Sequence, residues 1–256
     1  LAGSGSLSGD RALPGKPGRL INFHHYNGWF WAGHWDAPNP EYGTAIAYWL
    51  AEPAKDVKVR VLDASGALIR TLAGTGEAGV NRIYWDMRAE PAQQPDPNEP
   101  YNLVFRLPPQ GPSMLPGTYT AVIAAPGRSE LRTQLVVQAN PAVTISDADR
   151  QARQVVIDGL YAMQKSAVAA QDAIRPLAEQ LASLRKNLTG DAQLGGVAPP
   201  AGRAAQIARV AAVADSVGAV DRTIGRALNS VGQLADAIGG YTGLPTPAQS
   251  REVAWT

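Results

Sequence analysis

Three histidines, His24, His25 and His34, stand close to Asp36 and Glu41, and imidazole with carboxylate is a donor set that suits zinc or copper. Their spacing fits no known ligand motif. Neighbouring residues on a strand point to opposite faces, so one of His24 and His25 at most can meet His34 without an intervening loop. Aromatic packing or a surface role is the expectation for all three, and no metal is expected. Interleaved with them are Tyr26, Trp29, Phe30, Trp31 and Trp35. Such rings bury large area at small entropic cost, which is the chemistry of a sugar platform or of a protein-interface anchor. These five are the candidate partner- or ligand-contact residues, against the plainer reading that they pack on the chain's own core.

Elsewhere the chemistry-bearing types are isolated. Asp86 follows Trp85 with no second acid or base beside it, so Trp85 is expected in a core and Asp86 on loop amides rather than in catalysis. Tyr119 is expected to pack inside the fold with its hydroxyl on a turn. Cysteine is absent, which excludes disulfides, thiolate metal sites and cysteine catalysis. No Gly-rich loop opens a helix in a βαβ setting, so no cofactor is expected. The reading is a chain without catalytic residues.

The elements that would carry these residues change character along the chain. At 256 residues, 45% hydrophobic and 18% charged, it is long enough for one large domain or two ordinary ones. A net charge of +1 and the absence of Lys or Arg runs give no basis for nucleic-acid binding. Its start, Leu1-Ala2-Gly3-Ser4, lacks an initiator Met and an apolar signal core, and so reads as a processed or partial product. No run approaches the ~20 apolar residues of a membrane helix.

Residues 1–20 have linker composition. From Thr44 apolar and small residues alternate with period two, and strands are expected at 44–50, 57–61, 68–72, 81–86, 101–107, 117–124 and 131–138. Asp63-Ala64-Ser65-Gly66 supplies a hairpin turn. The stretch 89–100 carries too many prolines to pair continuously and reads as an exposed loop. Beyond Ser146, a helix cap, the period becomes seven: Val156, Leu160, Met163, Ala167, Ala170, Ile174, Leu177, Leu181, Leu184 and Leu188 form one stripe. Val210, Val213, Val217, Val220, Ile224, Ala227, Val231, Leu234 and Ile238 form a second. Both stripes are expected as core, with a break at 190–202, a kink from Pro176, and a third helix opening near Pro245-Thr246-Pro247. So many alanines give little buried area per residue, and the hairpin is expected to need a partner surface.

The expected class is α+β in two separate parts, an Ig-like antiparallel β-sandwich followed by a long antiparallel helical hairpin or bundle. The parts are 1–36, a linker and aromatic segment; 37–141, the sandwich; and 146–256, the helices. The stretches Asn39-Pro40, Trp85-Asp86 and Pro116-Gly117-Thr118-Tyr119 resemble the Ig-like module that follows the β-propeller of bacterial sortilin-like, Asp-box repeat proteins. The module is also similar to the Ig-like fold of flagellar hook-capping proteins. In the sortilin-like family a helical segment follows the module, so the resemblance covers roughly residues 36 to 256. The propeller's Ser-x-Asp-x-Gly-x-x-Trp box is absent here, and the glycosidase-like label of that family has no positions to land on. What the resemblance implies is a periplasmic or extracellular accessory module.

Two functions follow as expectations. The first is a non-enzymatic structural subunit that docks onto other protein subunits of a larger, membrane-bound and energy-transducing assembly without a transmembrane segment of its own. The alternative is a carbohydrate-binding or glycosidase-associated module.

Overall fold

The computed structural model describes residues 9–20, 42–99, 108–193, 201–240 and 243–255. The chain is α+β: among the described residues eight strands form two sheets, and three helices follow. It divides into two compact units, Leu1–Gln154 with Thr242–Leu244, and Val155–Tyr241 with Pro245–Thr256.

In the first unit a three-stranded sheet has the order β1 (Arg11–Leu13), β3 (Thr44–Leu50), β6 (Gly79–Trp85), all antiparallel. A five-stranded sheet has the order β2 (Gly18–Arg19), β8 (Leu131–Gln138), β7 (Gly117–Ala124), β4 (Lys58–Leu62), β5 (Leu68–Ala73). Period-two alternation explains the shared core. Ile46, Tyr48 and Leu50 of β3 turn the same way and join Val59 and Val61 of β4, Tyr119, Ala121 and Ile123 of β7, and Leu135 and Val137 of β8. Trp85 is fully buried among them, edge-on to Tyr119 with ring centroids 5.2 Å apart. The Asp63 turn forms as its residue types require: Asp63 Oδ1 accepts from the Ser65 and Ala67 amides at 2.8 and 2.9 Å, and Gly66 takes φ 88°.

Linker composition does not keep residues 11–13 and 18–19 out of the sheets. Arg11–Leu13 pairs antiparallel with β3, and Gly18–Arg19 pairs parallel with β8, so one short segment serves both sheets in turn. Backbone pairing needs no apolar side chain, which is why composition hides it. Asp10 fixes the entry: its carboxylate accepts from the Ala51 amide at 2.8 Å and pairs with Arg128 at 2.9 Å, and these bonds, the Ala51 one first, hold it below the usual carboxylate range. The strand expected at 101–107 lies outside the described residues.

Ser146 caps α1 (Asp147–Gln193), its Oγ accepting from the Asp149 amide at 3.1 Å, with Asp147 and Asp149 in the first turn. The helix runs through Pro176 and continues past the expected stop at 190, and α2 (Ala201–Gly239) begins within the expected break. A capping box opens α3 (Pro247–Trp255): the Gln249 amide donates to Thr246 Oγ1 at 3.3 Å, and the Thr246 amide to Gln249 Oε1 at 2.8 Å. In the second unit Ile157 and Leu160 of α1 are buried with Val231, Leu234 and Ile238 of α2, and Val253 of α3 packs on them. The start of α1 thus meets the end of α2, and the two helices run antiparallel. Farther along, Gln171 donates to Asp221 at 3.4 Å and Arg185 pairs with Asp215 at 3.7 Å.

Candidate functional site

His24, His25, His34, Asp36, Glu41 and the five aromatic candidates Tyr26, Trp29, Phe30, Trp31 and Trp35 fall in residues 21–41, outside the described residues. Among the described residues no three His, Asp or Glu side chains are grouped where they could hold a metal ion.

Asp86 takes the structural place expected of it. Both its oxygens accept from Arg70 Nη1, at 3.0 and 2.9 Å, and Oδ1 accepts from the Arg88 amide at 3.1 Å. Tyr119 donates its hydroxyl to the Leu115 carbonyl at 2.6 Å; burial, aided by the Asp63 charge, pushes the phenol up to about 12.

An open groove of about 300 Å³ runs beside β5, walled by Arg70, Asp86, Glu90, Gln94 and the prolines 91, 95, 108 and 109. Its acids are engaged by the protein itself. Asp86 holds Arg70, while Glu90 accepts from the Thr71 amide at 3.2 Å and from Gln94 at 2.9 Å. None of the described residues that line it is aromatic.

The helical hairpin presents a different kind of surface. Of the two expected stripes, positions 160, 167, 174, 181 and 188 of α1 and 210, 217, 224, 231 and 238 of α2 turn inward. Of the intervening positions, Leu234 is buried and Val156 half-buried at the end where the helices meet α3, and the others do not follow. On the inner side the seam takes in Gln164, Gln171 and Ala178 of α1 and Ala214 and Asp221 of α2, one residue beyond the apolar position in each case. Two helices share a single seam, and one seam cannot bury both flanks of a broad apolar arc.

The displaced flank is therefore exposed. Met163, Leu177 and Leu184 of α1 and Val213 and Val220 of α2 are each 43 to 50 % accessible, and Ala170 and Ala227 are exposed between them. All of them lie three residues after a seam position. That step turns the same way around each helix, and because the helices are antiparallel both rows open on one side of the hairpin. The contacts Gln164 with Gly232 and Gln171 with Gly225 set the level, which places Leu184 beside Val213, Leu177 beside Val220 and Ala170 beside Ala227. Bordering this double row are Ser166, Ala173, Gln180 and Asn187 on α1 and Ser216, Thr223 and Ser230 on α2. The charges along its margin are Arg209 and Arg226 of α2.

Sequence reasoning assigned this row to the core. The clue to its exposure was in the stripe itself, which is wider than a two-helix seam.

No family model matches the chain, and no curated protein matches it. Among solved structures it is similar to CopC from Methylosinus trichosporium OB3b, with 8% identity and a TM-score of 0.25 over 54% of this chain and 99% of that one. A likeness so slight carries no weight for fold or function. Among the described residues no helix is long and apolar enough to cross a membrane.

Proposed function

We propose that this chain is a non-enzymatic interaction subunit that works outside the cytoplasm, docked onto other protein subunits of a larger membrane-associated assembly. The observation that carries the proposal is the uncharged double row on the hairpin, with five large apolar side chains about half exposed along two helices. Water contact with such a row is unfavourable by about 25 cal/mol per Å², and patches of this kind mark association surfaces.

We read the strand unit as the Ig-like sandwich of the sortilin-like and hook-capping families. Three features support this: two sheets on one core, a first strand divided between both sheets, and a tyrosine near a strand start bonded four residues back. Tyr26, Trp29, Phe30, Trp31 and Trp35 are assigned as further contact residues on their chemistry alone. The carbohydrate-binding alternative has less to rest on, because none of the described residues lining the groove beside β5 carries a ring to stack a sugar.

The test is purification from the native source under mild conditions, followed by identification of bound polypeptides. The expected result is stoichiometric recovery of other subunits, reduced when Trp29 and Trp31 are replaced by alanine without a change in melting. Recovery of the chain with no other polypeptide would refute the docking role, and micromolar binding on a glycan array would put the carbohydrate reading in its place.

A further inference from the structure

Among the described residues four strands end the two sheets, and three of those edges are closed to further pairing by their own construction. β1 and β2 are three and two residues long, too short to hold a partner strand, and the Glu90 amide and carboxylate occupy the edge of β5. β6 differs. It is seven residues long, contains no proline, and pairs with β3 at every position without a register shift. Among the described residues no strand pairs with its other side, where alternate amides and carbonyls point away from β3. Its outer face carries a pattern. Asn81 and Trp85 are buried, so Val80, Arg82 and Tyr84 turn outward, with Val80 60 % and Tyr84 38 % accessible and Arg82 exposed between them. The residue paired with Arg82 on β3 is Ala47, which offers no carboxylate.

We propose that the edge of β6 takes up an extended strand of another subunit, one with an Asp or Glu set between two apolar residues at alternate positions. This rests on the docking role proposed above and adds a second surface to the helical row. Unpaired backbone groups in an unbroken line are satisfied by another extended backbone, which names the class of occupant. Cross-strand pairing names its side chains: apolar residues beside Val80 and Tyr84, and a carboxylate opposite Arg82. The same arginine disfavours a second copy of this chain. It is the central residue of β6, so antiparallel self-pairing in full register would set Arg82 against its own counterpart, with like charges directly opposed.

Hydrogen exchange of the full chain, alone and in the complex recovered from its native source, tests this. In the isolated chain the β6 amides that point away from β3 should exchange at least tenfold faster than those bonded to it, and in the complex both sets should be slow. Arg82→Glu should weaken subunit association at least tenfold, and Arg82→Lys should restore most of it. Val80→Lys combined with Tyr84→Lys should abolish the added protection without a change in melting, because both side chains are exposed. Outward amides of β6 that are already slow in the isolated chain would show that the chain covers this edge itself, and would overturn the assignment. Undiminished recovery of other subunits with Arg82→Glu and with the double lysine variant would overturn it too. In either case the docking role stands on the helical row as long as other subunits co-purify, whereas a wild-type chain recovered alone removes both.

Discussion

Gln164 of α1 lies across Gly232 of α2: a methyl carbon built on that glycine would sit 3.3 Å from the Gln164 Nε2. One heptad away Gln171 stands in the same relation to Gly225, at 3.9 Å. Gly218, Gly225, Gly232 and Gly239 recur every seven residues on α2, and the two central ones give the glutamine side chains a surface to lie on. The glycines cost helix propensity, about 1 kcal/mol each relative to alanine. At Gly225 the added methyl meets only ordinary contact, so Gly225→Ala should stabilise the hairpin by about 0.5–1 kcal/mol. Gly232→Ala should gain less, because Gln164 must withdraw a few tenths of an ångström. Urea titration followed at 222 nm ranks the two, and a larger gain at 232 would show that Gln164 does not hold this position.

Gly43 precedes β3 at φ 123°, where a Cβ would stand 2.2 Å from the Trp85 carbonyl oxygen. Backbone conformation and space both exclude a side chain. Gly43→Ala must open the β3–β6 pairing at Thr44 and Trp85, and a loss of about 3 kcal/mol or more is expected. Tryptophan emission reports it, because Trp85 is fully buried in the folded chain and moves to water when the pairing opens.

The alkaline limb of the stability curve should carry the mark of Tyr119. Burial pushes its phenol up to about 12, so the folded state favours the neutral form. Stability from this group is whole below the unfolded value of about 10 and is lost as pH climbs from there through about 12. Burial raises Tyr48 as well, and its hydroxyl donates to the Thr75 carbonyl at 2.5 Å. Tyr119→Phe should therefore reduce the loss of melting temperature above pH 10 without abolishing it. At neutral pH it should cost about 1 kcal/mol for the missing bond to Leu115. An unchanged alkaline slope would mean that Tyr119 is no more buried than an exposed phenol.

Much of the fold was legible because local chemistry and tertiary structure agree. The runs at 117–124 and 131–138 became β7 and β8, the Asp63 turn formed on its own carboxylate, and Ser146 capped α1. What stayed hidden depends on partners distant in sequence. Gly18–Arg19 is a strand because β8 offers it backbone groups more than a hundred residues away. The hairpin shows the same limit: period seven reveals that Met163, Leu177 and Val220 lie on apolar faces, but only the number of helices present decides which of those faces find cover. Of the candidate site, the sequence supplied the residue types and the broad stripe, while the rotation of the seam toward Gln164 and Gln171 needed the paired helices.

Glu90 closes the outer edge of β5, and removing it tests whether that closure keeps the five-stranded sheet out of association. An edge strand offers unpaired amides and carbonyls to any passing strand. Here the Glu90 amide donates to the Ile69 carbonyl at 3.0 Å, and its carboxylate accepts from the Thr71 amide at 3.2 Å, so the loop after β6 occupies both groups. Glu90→Ala keeps the backbone bond and frees the Thr71 amide, at an expected cost of about 1 kcal/mol. Hydrogen exchange at Thr71 should quicken at least tenfold, and the variant should scatter light on mild heating at temperatures where the wild type stays clear. Glu90→Gln retains an acceptor oxygen and should behave nearly as the wild type. Should Glu90→Ala instead stay clear with Thr71 still protected, the proline-rich loop seals the edge without this carboxylate, and the charge at residue 90 has no part in keeping the sheet out of association.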